Sequence, residues 1–344
     1  MPSVNPTQII ELLQNAGALT AMMEAYESAA AAPVWRALVG EPNILAPDND
    51  GLDIPFIGHK AAVFGGMEGP TPVEAGEALP LTTIERAYQY QMEIFRVRRG
   101  IKIPIHAMAS TRGMLVFGTN FAEFARQQGT LTAIYKERYI AGMFQKGTLT
   151  AGSTQYFRNS YANNAATDGL IYDGLPWFDT AHPVGARLGS ATTKSNHRVS
   201  LALDASGLGT ALDAMMLTNA VDDREDEIVI APDVLLTPMG AQHRTAKKLL
   251  ESEKDPESST EAINPFAGAL QPLGWRFLSD SASSSSWWLT TLGDCGLKVV
   301  DSGMPTLDTW YDNNTECWYA GVAFWWGAAV SDWRKAYCAN KAAS

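Results

Sequence analysis

The sequence predicts an α+β fold, and three observations predict it. Helical apolar spacing runs from about residue 120 to residue 146, too long for a strand. Residues 88–105 alternate apolar and polar side chains with the period of a half-buried strand. Beyond residue 274 the composition shifts, and eight of the ten tryptophans lie between Trp275 and Trp333 in strand-like runs.

Composition is that of a chain with an ordinary packed interior. The 344 residues are 46% hydrophobic and 18% charged, which excludes a disordered chain and a highly charged coiled coil. The net charge of −11 repels phosphate, so a protein that wraps or reads DNA is disfavoured. Met1-Pro2-Ser3-Val4-Asn5 carries no basic stretch and no apolar run follows it, so no secretion signal is expected. The apolar stretch from Cys317 to Ser331 is shorter than the ~20 residues that span a bilayer, so no membrane is expected. Cys295, Cys317 and Cys338 are odd in number and far apart, which reads as free thiols in a reducing compartment.

The elements follow in order. Residues 1–40 have helical spacing broken at Gly17 and ended by Pro33, an arm that must pack on something larger. Leu52 to Ile57 begins a strand, and Tyr88 to Ile105 returns as another, with the parity of its apolar residues flipping at Ile94–Phe95. Such a flip predicts a bulge or a sharp bend. Between the strands lies a tip rich in glycine and proline. Ordering the 25 residues 56–80 costs at least ~25 kcal/mol, which needs roughly 1,000 Å² of apolar burial. The tip has too few apolar side chains to find that on its own body, so either it stays disordered or neighbouring subunits order it.

Asn120 and Glu123 fit a capping box that starts the long helix, and Lys146-Gly147 stops it. A second helix is expected at about 206–220, a buried strand at Ile228-Val229-Ile230, and a helix opened by Thr237-Pro238.

Catalytic and metal-binding patterns are sparse. His59, His106, His182, His197 and His243 form no paired spacing, and there is no CxxC. Asp48 to Asp53 departs from the order of a calcium loop and reads as a solvated turn. No GxSxG elbow, Walker motif or full dinucleotide fingerprint occurs, so no catalytic residue, cofactor or metal is assigned. Asp179 and His182 could form an acid–base pair, although a turn capped by Asp179 explains them as well. One charge pattern stands out. Glu68, Glu74 and Glu77 sit on the tip, while Arg96, Arg98, Arg99 and Lys102 cluster on the returning strand. These charges serve solubility, or their matching between subunits would fix register more than affinity.

The order of arm, β excursion, long helix, α/β middle and closing β region resembles the major capsid proteins of tailed bacteriophages, the HK97-like fold. Gly174-Leu175-Pro176-Trp177-Phe178-Asp179-Thr180-Ala181-His182-Pro183 is similar to a stretch of the Mu-type major head subunit family. Ile228 to Pro238, with Ala246, Leu249 and Leu250 downstream, is similar to that family's strand-then-helix signature. The resemblance implies an N-terminal arm (1–44), a peripheral-domain strand and E-loop (45–107, the loop about 56–86) and a spine helix (108–149). It further implies an axial domain (150–295) and a return to the peripheral domain (296–344). It implies hexamers and pentamers of an icosahedral virion shell, assembled in the host cytoplasm around double-stranded DNA contacted non-specifically if at all. Only some fifty residues precede the excursion, so the resemblance implies a separate scaffolding protein, with a portal at one vertex and possible decoration proteins. Some relatives crosslink an E-loop lysine; Lys60 lies in that region, but no partner asparagine is evident. Two other roles are compatible with the residues: an encapsulin-type compartment shell, and a cytosolic α/β hydrolase using Asp179 and His182.

Overall fold

The computed structural model describes residues 17–40, 43–44, 59–64, 86–92, 94–104, 111–148, 169–184, 192–222, 225–255, 262–279 and 285–341. The sequence expectations for Asp48–Asp53, Leu52–Ile57 and the tip with Glu68, Glu74 and Glu77 lie outside the described residues, as does His106. No described helix is long and apolar enough to cross a membrane. Cys295, Cys317 and Cys338 are free and buried.

Two helices form the arm, α1 (Ala18–Ala29) and α2 (Val34–Val39). A long helix, α3 (Thr111–Lys146), runs 36 residues, or about 54 Å at 1.5 Å per residue. It begins nine residues before Asn120, which is therefore a helix-interior residue rather than a cap. The capping-box signal was local, and continuous helix through Gly113 and Gly118 overrides it. Phe121, Ala125, Ala133, Tyr139, Ile140, Met143 and Phe144 form its buried stripe.

The described part of the arm is fastened to the spine helix. Ala18 and Met22 are fully buried in a cluster with Phe121, Ala125, Trp318 and Val322. Gly129 permits this approach, because a Cβ there would lie 2.2 Å from the Met22 carbonyl oxygen. Gly129→Ala gains about 1 kcal/mol of helix propensity but must push α1 off α3. We expect a net loss of about 1–2 kcal/mol, read as a lowered denaturant midpoint. An unchanged or raised midpoint would show that the helices have slack to separate.

The first large sheet contains β1 (Asn43–Ile44), β4 (Phe95–Pro104), β11 (Leu297–Asp301), β12 (Thr306–Asp312) and β13 (Cys317–Val330). β13 is its axis, flanked by β11 and β12 on one side and by β4 on the other. The second sheet has the order β7 (His197–Arg198), β14 (Ala336–Ala339), β10 (Trp287–Thr290), β8 (Val234–Pro238), β9 (Gln271–Trp275). Two helices, α4 (Ala205–Asp213, continued by a π-turn to Thr218) and α5 (Ala241–Glu251), supply Leu208, Met215, Ala246, Leu249 and Leu250 to the core beside this sheet. The spine helix joins the two sheets: Tyr139 meets Trp326 of the first, and Phe144 meets Trp275 and Trp288 of the second.

β2 (His59–Phe64) and β3 (Arg86–Met92) form a separate antiparallel pair, the stem of the excursion, with Lys60 on β2. The parity flip at Ile94–Phe95 is where the chain leaves this stem and enters the first sheet as β4. Two other expectations are corrected. Ile228 to Ile230 is no strand: Ile228 and Ile230 pack inward, but Val229 is 97% exposed, and the strand starts at Val234. Thr237 and Pro238 end β8 instead of opening a helix, because β8 continues its parallel pairing with β9 as far as Pro238↔Trp275. The helix starts only at Ala241, after Gly240 at φ 126°.

Candidate functional site

The basic cluster sits on β4, whose only strand partner among the described residues is β13, so its outer edge is unpaired there. A strand sends alternate side chains to opposite faces, and this divides the cluster. Phe95, Val97 and Ile101 face the core with Arg99 beside them; Arg96, Arg98 and Lys102 face outward. The expected four-residue patch is therefore two sites. Charges along an edge strand also discourage unwanted pairing.

On the outward face Arg96 pairs with Asp308 at 3.1 Å and lies 5.5 Å from the Trp325 ring centre. Arg98 lies 5.7 Å from the ring centre of Trp310, which in turn stacks on Tyr319 at 5.4 Å and 8°. Gly321 lets Trp310 lie against the sheet, since a Cβ there would touch the indole at 3.3 Å. Trp310 remains 41% exposed. Farther along, the N–H of Asn314 and the Thr315 hydroxyl hold the Asp312 carboxyl below its usual range, with a smaller contribution from Lys102. The result is an exposed ladder of guanidinium and aromatic groups suited to an acidic, partly apolar partner segment. Trp310, Tyr319, Trp325 and Asp308 were missed in the sequence; the period of two in 317–326, with Tyr319 and Trp325 opposite in parity to Trp318 and Trp326, was the available signal.

Arg99 instead borders a groove of about 410 Å³ between β4 and α3, with Arg138 across it and Val97, Leu131, Tyr135 and Phe324 along it.

The Asp179–His182 pair is not formed. His182 Nδ1 lies 2.6 Å from Asp173 Oδ2, and both side chains are buried. Nε2 lies 3.2 Å from the Trp177 carbonyl and 3.2 Å from Asn196 Oδ1, and the ring stacks on Trp333 at 4.3 Å. Asp179 accepts the N–H of Ala181 at 2.9 Å, the capped turn foreseen as the simpler explanation. A fully buried imidazole closed off by an indole has no room for a substrate, so the hydrolase reading loses its acid–base pair. No group of three or more potential metal ligands converges among the described residues.

No protein-family model matches the chain, and no curated protein matches it. Solved structures do, and what the chain shares with them is a fold, α+β of the HK97 type. The structure from Mycobacterium phage Patience superimposes with a TM-score of 0.50 at 12% identity, covering 96% of this chain and 88% of that one. The capsid of Ralstonia phage GP4 gives 0.46 at 12% identity over 85% of this chain and 92% of that one. The virus-like particle from Pyrococcus furiosus gives 0.45 at 10% identity over 96% and 98%. At such identities the likeness is one of fold.

Proposed function

We propose that this chain is the major capsid protein of a tailed bacteriophage, of the Mu-type head subunit group, building hexamers and pentamers of an icosahedral shell around double-stranded DNA. One observation carries the reading: the β2–β3 stem is a two-stranded sheet hydrogen-bonded to neither large sheet among the described residues, and it rests on the first only at its base, through Met92 against Val300 and Ala329. An isolated hairpin is marginally stable in water, and its glycine-rich extension has little apolar surface of its own. A second copy supplies what is missing. In this reading Glu68, Glu74 and Glu77 of one copy meet Arg96 and Arg98 on the outward face of the next, with Arg99 acting from the groove side.

The arm would comprise 1–44, the peripheral domain 45–149 and 296–344, and the axial domain 150–295. A separate scaffolding protein would direct assembly, a portal would occupy one vertex, and decoration proteins could bind outside. The work is done in the virion and involves no turnover. The acidic wall suits it, because packed DNA is repelled rather than held.

Light scattering and negative-stain microscopy test this reading. The intact chain is expected to give shells or capsomers, and deletion of residues 62–78 to reduce or abolish them. Arg96→Glu with Arg98→Glu should also weaken assembly, and Glu68→Lys, Glu74→Lys and Glu77→Lys in the same chain should restore part of it. A monodisperse monomer or dimer from both the intact and the deleted chain would overturn the shell reading.

A further inference from the structure

The joint between the arm and the spine contains a carboxyl with an unusual position. Glu137 of α3 accepts the N–H of Val34 at 2.7 Å, capping the first turn of α2 from 103 residues away. Its second oxygen is shut off from solvent without a hydrogen-bond partner, and the indole N–H of Trp275, also without one, approaches the same carboxyl. A cavity of about 290 Å³ lies alongside, between α1, α2 and α3. The far end of α2 is tied down separately: Gly293 N–H donates to the Ala37 carbonyl at 2.8 Å and Cys295 N–H to the Leu38 carbonyl at 3.1 Å. Trp35, Leu38 and Val39 are buried in the main core. The Glu137 contact is thus the polar fastening at the N-terminal end of α2, as the Gly293 and Cys295 N–H groups are at its C-terminal end and Lys136 with Tyr26 is on α1.

We propose that Glu137 makes the docking of the arm, residues 18–39, depend on pH: the arm is held most firmly while this carboxyl is protonated and is loosened as it ionises. Burial disfavours a carboxylate whose second oxygen has no partner. It pushes the Glu137 carboxyl up to about 7, against the opposing effects of the Val34 N–H and the Trp275 indole. The other charged or titratable groups around the joint are Tyr26 and Glu27 from α1, Arg36 from α2, and Lys136 from α3 with its partner Asp301 from β11. Tyr26 is pushed up to about 12 by burial and by Asp301, far above the range concerned. Gly303 and Met304, from the β11–β12 connection, carry no charge.

The sign follows from proton uptake. An acid whose docked pKa is raised binds more protons docked than free, so docking weakens as pH rises from the free value toward the docked one. With an undocked value of 4.5 and a docked value of about 7, the docking constant falls about tenfold between pH 6 and pH 8.

Hydrogen exchange on the full-length chain, at constant oligomeric state and corrected for intrinsic rates, reads this directly. Amide protection in α2 is expected to fall about tenfold from pH 6 to pH 8, while protection in α5 stays level. In Glu137→Gln, which keeps an acceptor for Val34, the fall in α2 should disappear. Level protection in wild-type α2, an equal fall in α5, or the same fall in Glu137→Gln would each overturn the proposal. Should Glu137→Gln fail to fold, the wild-type comparison of α2 with α5 still decides. The inference concerns a single chain, so it stands or falls apart from shell assembly.

Discussion

Lys136→Met is expected to destabilise the chain by about 3–5 kcal/mol. Lys136 and Asp301 are each 1% exposed and joined at 2.7 and 2.9 Å. The ammonium donates further to Tyr26 Oη at 2.8 Å and to the Gly303 carbonyl at 2.7 Å, and the rings of Tyr26, Phe324 and Trp326 surround it. One side chain of α3 therefore binds α1, β11 and the turn after β11 together. Burial pulls the Lys136 pKa down and Asp301 opposes that pull, so the pair is held against a real desolvation cost. Methionine fills much of the space but leaves the Asp301 carboxylate with the N–H of Gly303 in place of an ammonium. A buried carboxylate without its cation is the source of the loss. Lys136→Met combined with Asp301→Leu should recover a large part of it, because the uncompensated charge is then gone. Urea unfolding of the four proteins checks both statements. A single variant within 1 kcal/mol of wild type, or a double variant as weak as the sum of the singles, would show that the pair is not the fastening described.

His182→Ala should be nearly as damaging, by about 3–5 kcal/mol. It removes the partner of Asp173, whose other oxygen accepts the Leu175 N–H at 3.1 Å, and it uncovers the face of Trp333. The neighbouring Asn196 shows how far this network reaches. Its amide donates to the carbonyls of Trp177, Trp333 and Ala336 at 2.8, 3.0 and 3.2 Å, so it sews the 171–184 segment to the chain around β14. His182→Phe restores the stack but not the hydrogen bond, and should remain destabilised until Asp173→Asn is added. Denaturant midpoints and near-ultraviolet circular dichroism would report both the energy and the altered tryptophan environment. Wild-type stability in His182→Ala would refute this structural assignment.

The flip at Ile94–Phe95 was legible because a period of two registers every change of face, and the chain does change sheets there. The end of α3 at Lys146 was legible too. Its beginning was not, since Asn120 and Glu123 imitate a cap within a continuous helix. Thr237-Pro238 misled in the same way: both residues favour a helix start locally, yet strand pairing to Trp275 extends β8 through them. The basic residues of β4 were legible as a cluster in sequence, but their division between two faces was not drawn. Its aromatic companions were not found, because Trp310 and Asp308 come from a strand more than two hundred residues away.

By itself the sequence determined the acidic balance, the alternating stretch that becomes β4 and the run of the long helix to Lys146, because these depend on composition, near neighbours and periodicity. Only the tertiary structure decided which groups meet. Lys136 on an amphipathic helix looks like a solvent-facing residue until Asp301, 165 positions away, is brought to it in a dry setting. Asp173 rather than Asp179 serves His182 because the turn at 173–175 folds back under the ring. Glu137 became a shielded carboxyl only when α2 docked over it. Burial multiplies the strength of such polar contacts and the penalty for leaving them unmade, and burial is a property of the packed chain.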